Sequence, residues 1–236
     1  MGGRYDIFRA IGIADTCELL SAAFSFPDEA LSEALSDGSF QDDIQSCFSD
    51  VGIAAQLDGH DAWKRLLRLR GGDSALLFER MRRAYSFVYL TPGNPEVFLY
   101  EGAFLQREAG RGGVVSLFQS AATIDVERSM KEAGVITQNA RRIPCDSVAC
   151  EFSFLSFLAG SFAAEIQEGD AEQADRWLMR LRSFYSKHAN RWIPPFFDQT
   201  KNNESADIYS DFASMGEIFM RHCDGLSECA DKGGVR

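Results

Sequence analysis

The chain has little of what marks an enzyme, a secreted domain or a membrane protein. Only three histidines occur in 236 residues, His60, His188 and His222, far apart in sequence. There is no His-Glu-x-x-His, no Gly-x-x-x-x-Gly-Lys-Ser/Thr and no Gly-x-Ser-x-Gly, so zinc-protease, P-loop and nucleophile-elbow chemistries are not signalled. Cys17, Cys47, Cys145, Cys150, Cys223 and Cys229 form no Cys-x-x-Cys pair and read as reduced thiols. His222-Cys223 with Cys229 lacks the spacing of a metal site. The opening Met-Gly-Gly-Arg-Tyr-Asp-Ile-Phe-Arg-Ala has no apolar run of the signal-peptide kind, and no apolar run approaches a membrane span. Nothing alternates with period two over a useful length, which excludes a sheet protein.

Lys and Arg are absent from Pro27 to Asp58, a stretch holding Asp28, Glu29, Glu33, Asp37, Asp42, Asp43, Asp50 and Asp58. Lys64, Arg65, Arg68, Arg70, Arg80, Arg82 and Arg83 follow. The bland reading is two solvated blocks that pair with each other, and the alternative is an acidic docking surface for another protein. Net charge is −11, which disfavours nucleic acid as a partner and favours a basic peptide. Against these absences stand 19 Phe, enough for a large aromatic core.

What is present is helical periodicity, so the expected fold is all-α, a single-domain bundle of about ten helices over residues 1–236. Asp28, Asp73 or Ser74, and Asp170 with Gln173 read as N-terminal caps. Gly134 and Gly169 read as helix ends. A helix is expected from about Val114 to Ala133, and residues 135–143 form a linker that is a candidate hinge between an N-terminal and a C-terminal subregion. Such a hinge allows a monomer or a helix-swapped dimer. Val148, Phe152, Leu155, Ala159, Phe162 and Ile166 make one continuous stripe. Pro194-Pro195 is expected to stop the next helix, and Ser205 to begin the last.

Thr91-Pro92-Gly93-Asn94-Pro95 is the strongest loop signal. Tyr85, Val88 and Tyr89 share a helix face before it, and Tyr100, Glu101 and Phe104 are similarly spaced after it. Two aromatic helix ends flanking a kinked loop make the walls of a groove for an apolar segment. Glu101 and Asp146 would then supply carboxylates at its rim, where a guanidinium pairs bidentately. The competing reading has Tyr85, Tyr89 and Phe104 as plain core and Asp146 as a helix cap. His188, on an apolar face near Trp192, reads as a hydrogen-bonded structural histidine.

Three segments carry a family resemblance. Tyr85-Ser-Phe-Val-Tyr89-Leu-Thr-Pro92 with Tyr100-Glu101-Gly-Ala-Phe104-Leu is the first. Pro144-Cys-Asp146-Ser147-Val-Ala-Cys-Glu151-Phe-Ser-Phe-Leu is the second, and Phe184-Tyr-Ser-Lys-His188-Ala-Asn-Arg-Trp192 the third. In order and spacing they resemble the TorD/DmsD/NarJ-like redox enzyme maturation chaperones. The chain departs from that pattern at Ser147, where the family has His, and at Arg141-Arg142, where it has an acidic residue.

The resemblance implies a cytoplasmic, cofactor-free, all-helical chaperone that is not an enzyme. Its partners would be the twin-arginine signal peptide and the apo catalytic subunit of a molybdopterin-dependent oxidoreductase, held until cofactor insertion. Peptide contacts would come from Tyr85, Val88, Tyr89, Pro92, Tyr100, Glu101, Phe104, Asp146 and Ser147. Two other readings stay open. One is a helical adaptor that binds a folded protein through Pro27–Asp58. The other is a helical hydrolase or metal enzyme, which the lack of an inward His/Glu pair at helical spacing disfavours.

Overall fold

The structure is a computed structural model that describes residues 6–110, 120–135 and 144–223. Among these residues no strand forms, and the chain is all-α. In order come α1 (Ile7–Phe24), α2 (Glu29–Asp37), α3 (Ser39–Val51), a 3₁₀ turn (Ala54–Gln56), α4 (Asp61–Leu67) and α5 (Ser74–Tyr89). Then follow α6 (Glu101–Glu108), α7 (Ala121–Glu132), α8 (Val148–Glu168), α9 (Ala171–Phe184), α10 (Asn190–Lys201) and α11 (Ile208–Cys223). A π-helical turn, Tyr185–Ala189, joins α9 to α10 without a break.

Short polar side chains start the helices, because their oxygens accept the first unpaired N–H groups. Asp28 accepts from Leu31 N at 2.9 Å, Asp73 from Ala75 N and Leu76 N, and Asp170 from Glu172 N and Gln173 N. Gly169 ends α8 with φ of 80°, a left-handed conformation that a side chain rarely adopts.

α8 is the central helix, lying along α1 on one side and α9 on the other. By length and composition it could cross a bilayer, against the expectation that no segment approaches a span. Here Phe152, Leu155, Ala159 and Phe162 are buried against protein, so its apolar character is that of a core helix. α3 crosses α1 closely at Gly12, where a Cβ would lie 2.7 Å from Asp50 Cβ. α10 packs on α11, and α11 packs on α4 and α1. Phe24, Phe196, Phe197, Tyr209 and Phe212 meet at the centre, with ring centroids 5.4–6.5 Å apart around Phe24. Burying each such ring contributes about 2–3 kcal/mol. Buried apolar residues from Ala10 to Cys223 belong to one cluster.

Several expectations are corrected. α10 runs through Pro194 and Pro195 to Lys201. The prolines remove the bonds that would reach Asn190 and Arg191, but Trp192, Ile193, Phe196 and Phe197 are wholly buried and hold the helix to its neighbours. The last helix starts at Ile208 rather than Ser205. The helix expected from Val114 begins, among the described residues, at Ala121 after a Ser120 cap. Of the candidate hinge at 135–143, residues 136–143 lie outside the described residues, as does Cys229.

The acidic and basic blocks do not pair with each other as blocks. Arg70 bonds Asp42, but Arg65 crosses to Asp211 and Arg80 to Asp207. Among the described residues Asp43 and Asp50 make no ion pair. With Glu18 they surround Asp15, whose pKa is raised by partial burial and by those three charges.

Candidate functional site

Two distant segments are tied together beside α6. Leu99 O accepts from Val148 N at 2.9 Å, and Asp146 O accepts from Glu101 N at 2.8 Å. Tyr100 and Ser147 form an isolated antiparallel bridge between these bonds. Ser147 caps α8 by accepting from Cys150 N. Asp146 therefore does not cap its own helix. Its Oδ2 reaches across to Gly102 N at 3.1 Å, placing a carboxylate at the N-terminus of α6, where the helix dipole favours negative charge. A Cβ on Gly102 would fall 2.2 Å from Ser120 Oγ and 3.3 Å from Asp146 Oδ2, so only glycine admits this approach.

The third segment closes the set. The π turn places His188 Nδ1 2.7 Å from Glu101 Oε2, and its Nε2 lies 3.3 Å from Asp125 Oδ2 on α7. One turn on, Trp192 Nε1 donates to Glu151 Oε2 at 3.0 Å. Glu101, Asp146, Glu151, His188 and Trp192 are all buried. The Glu101 carboxyl is close enough to bear on the ionisation of Glu151. Complete burial, and then the nearby Glu101 charge, push the Glu151 carboxyl well above its ordinary 4.5. Burial also raises Asp146, against the bonds from Gly102 and Thr123.

Three polar atoms in this locus are buried without a hydrogen-bond partner under ordinary ionisation: Asp146 Oδ1, Glu151 Oε1 and His188 Nε2. No Lys or Arg among the described residues bonds Glu101, Asp146 or Glu151. Nor are any three His, Cys, Asp or Glu side chains among the described residues placed to hold a metal ion.

The nine expected contact residues are gathered in one region, but most are under the surface. Tyr85, Val88, Tyr89 and Phe104 are buried. Tyr85 OH donates to Phe24 O at 3.1 Å, and Tyr89 OH pairs with the Thr200 hydroxyl. Burial raises both phenol pKa values. Phe104 meets Trp192 and Phe196, and Tyr89 stacks on Phe196. Glu101, Asp146 and Ser147 lie beneath the surface instead of at a rim, Tyr100 is half-buried and Pro92 is exposed. The irregular segment 90–99 spans the end of α5 and the start of α6. Arg107 holds it by bonding Asn94 Oδ1 at 2.7 Å and by lying over the Phe98 ring.

Sequence reasoning placed His188 as a bonded structural histidine without foreseeing its partner. It missed Glu151 and its bond to Trp192. The available signal was a carboxylate set inside the apolar stripe of α8, between Val148 and Phe152.

A family model described as nitrate reductase delta subunit matches residues 54–198, more than half of the chain and all three of these converging segments. The chain belongs to the nitrate reductase delta subunit family. This is the redox enzyme maturation chaperone family, whose members serve molybdoenzyme subunits and are chaperones rather than catalysts. No curated protein and no solved structure matches the chain.

Proposed function

We propose that this chain binds the twin-arginine signal peptide and the apo catalytic subunit of a molybdopterin oxidoreductase in the cytoplasm, and retains the subunit until cofactor insertion. The observation that carries the proposal is a buried set of three carboxyl groups, Glu101, Asp146 and Glu151, with no Lys or Arg bonded to them among the described residues. Two of their oxygens lack ordinary donors. A guanidinium offers five N–H groups in a planar fork and suits such acceptors. Displacement of segment 90–99 from Arg107 would give entry. The apolar part of the peptide would then lie against Tyr85, Val88, Tyr89, Tyr100 and Phe104, with Pro92 at the margin and Ser147 beside Asp146. The net charge of −11 favours approach of a basic segment.

The test is calorimetry with a synthetic twin-arginine peptide and a counterpart carrying Gln for both Arg. Loss of both arginines should weaken binding at least about tenfold, and Asp146→Asn should weaken the native peptide more than the Gln peptide. Equal affinity for the two peptides would end this reading.

A further inference from the structure

α5 carries two seams, and only one is used. Leu77, Met81, Ala84 and Val88 face inward, and the helix packs on α2 and α11. One residue offset, Leu76, Arg80, Arg83, Phe87 and Leu90 follow steps of four, three, four and three along the outside. That is the spacing of a coiled-coil seam, which a second helix covers by setting side chains between these. The seam runs about 21 Å along the helix. Leu76 is 66% exposed, Phe87 54% and Leu90 45%, so its apolar members stand in water. An open groove of about 360 Å³ runs beside it, lined by Arg80, Arg83, Ala84, Phe87, Ser205 and Asp207.

The charge pattern selects the occupant. Arg80 is neutralised by a two-pronged pair with Asp207, at 2.7 and 3.2 Å. Arg82 is held by Glu79 and lies over the Phe78 ring. Arg83 has no carboxylate partner among the described residues. An unpaired guanidinium between exposed Phe87 and a paired Arg80 matches a carboxylate on an apolar helix.

We propose that the outer seam of α5 docks an acidic amphipathic helix of a partner protein, its apolar residues seated on Leu76, Phe87 and Leu90 and one of its carboxylates on Arg83. Apart from Leu90, which begins segment 90–99, this surface is separate from the acidic locus assigned to the signal peptide, and its ligand has the opposite charge.

The probe is a fluorescein-labelled, helix-stapled peptide of two heptads with Leu at the a and d positions, Glu at g and Ala elsewhere. Counterparts carry Gln or Lys for Glu. Fluorescence anisotropy should give a Kd in the tens of micromolar for the Glu peptide, weakened at least about tenfold by Gln, by Arg83→Glu or by Phe87→Ser. Arg83→Glu should regain affinity for the Lys peptide. Both substituted positions, Arg83 and Phe87, are on the surface, so circular dichroism should be unchanged. No binding at about 1 mM Glu peptide, or equal affinity for the Glu and Gln peptides, or indifference to Arg83→Glu, would each overturn the proposal. Affinity of the chain for a twin-arginine peptide should not change with Arg83→Glu, which separates failure here from failure of the signal-peptide reading.

Discussion

Replacing Glu151 by Gln should make the protein less sensitive to rising pH. Glu151 is wholly buried, and its carboxyl is held well above 4.5, first by loss of water and then by Glu101. An acid with a raised folded pKa binds its proton more firmly folded than unfolded. Its contribution is therefore fully present below pH 4.5 and declines as pH rises toward the folded value. Each unit of that window removes about 1.4 kcal/mol. Gln cannot ionise, yet its amide oxygen still accepts from Trp192 Nε1 and its NH₂ can serve Glu101. The stability difference between Glu151→Gln and the parent should thus grow in favour of Gln by up to about 1.4 kcal/mol per pH unit, and level off above the folded pKa. Taking the difference cancels groups that act in the opposite sense, such as Asp37 and Asp61, whose pKa values are lowered by local bonds. Glu151→Ala should instead lose about 3 kcal/mol or more, from the cavity and an orphaned indole N–H. Urea unfolding of the three proteins at intervals from pH 4.5 to 8 measures this. Parallel stability curves for the parent and Glu151→Gln would refute the raised ionisation of Glu151 in the folded chain.

Gly102→Ala should destabilise by about 1–3 kcal/mol in thermal unfolding, since its Cβ must displace Ser120 and press on Asp146. Arg65→Ala should cost about 1–3 kcal/mol by stripping the partner from Asp211, which is only 9% exposed, whereas Arg70→Ala at an exposed pair should cost under about 1 kcal/mol. Equal losses in chemical denaturation would contradict that ranking. If a guanidinium enters the acidic locus, Glu151 must release its proton. Twin-arginine peptide affinity should then rise with pH above 4.5, and the binding heat should vary with the ionisation enthalpy of the buffer. A buffer-independent heat would show that no proton leaves.

The helices, the starts at Asp28, Asp73 and Asp170, and the central stripe of α8 were legible because caps and periodicity are local. The surroundings of Tyr85, Tyr89 and Phe104 were not. Spacing says which side chains share a face, not whether water or Phe196 lies opposite. The pairing of Arg65 with Asp211 and Arg80 with Asp207 joins residues more than a hundred positions apart, which block composition does not reveal. Pro194-Pro195 misled because a local rule against proline was overridden by four fully buried neighbours. The proximity of Glu101, Asp146, Glu151, His188 and Trp192 became readable only through family spacing, and their burial only through coordinates.

The π turn at Tyr185–Ala189 has a consequence for tolerance to length changes. Five-residue bonding there sets the phase of everything downstream. The wide turn takes up one residue more than even winding would, so deleting a single residue from it would leave α10 nearly in phase, whereas deleting one from the regular winding of α9 would swing α10 by about 100° relative to the helix before it. Trp192 would then point away from α8, and Phe196 and Phe197 would leave the chain's aromatic centre. Shortening α9 by one position should therefore be far more harmful than shortening the π turn by one.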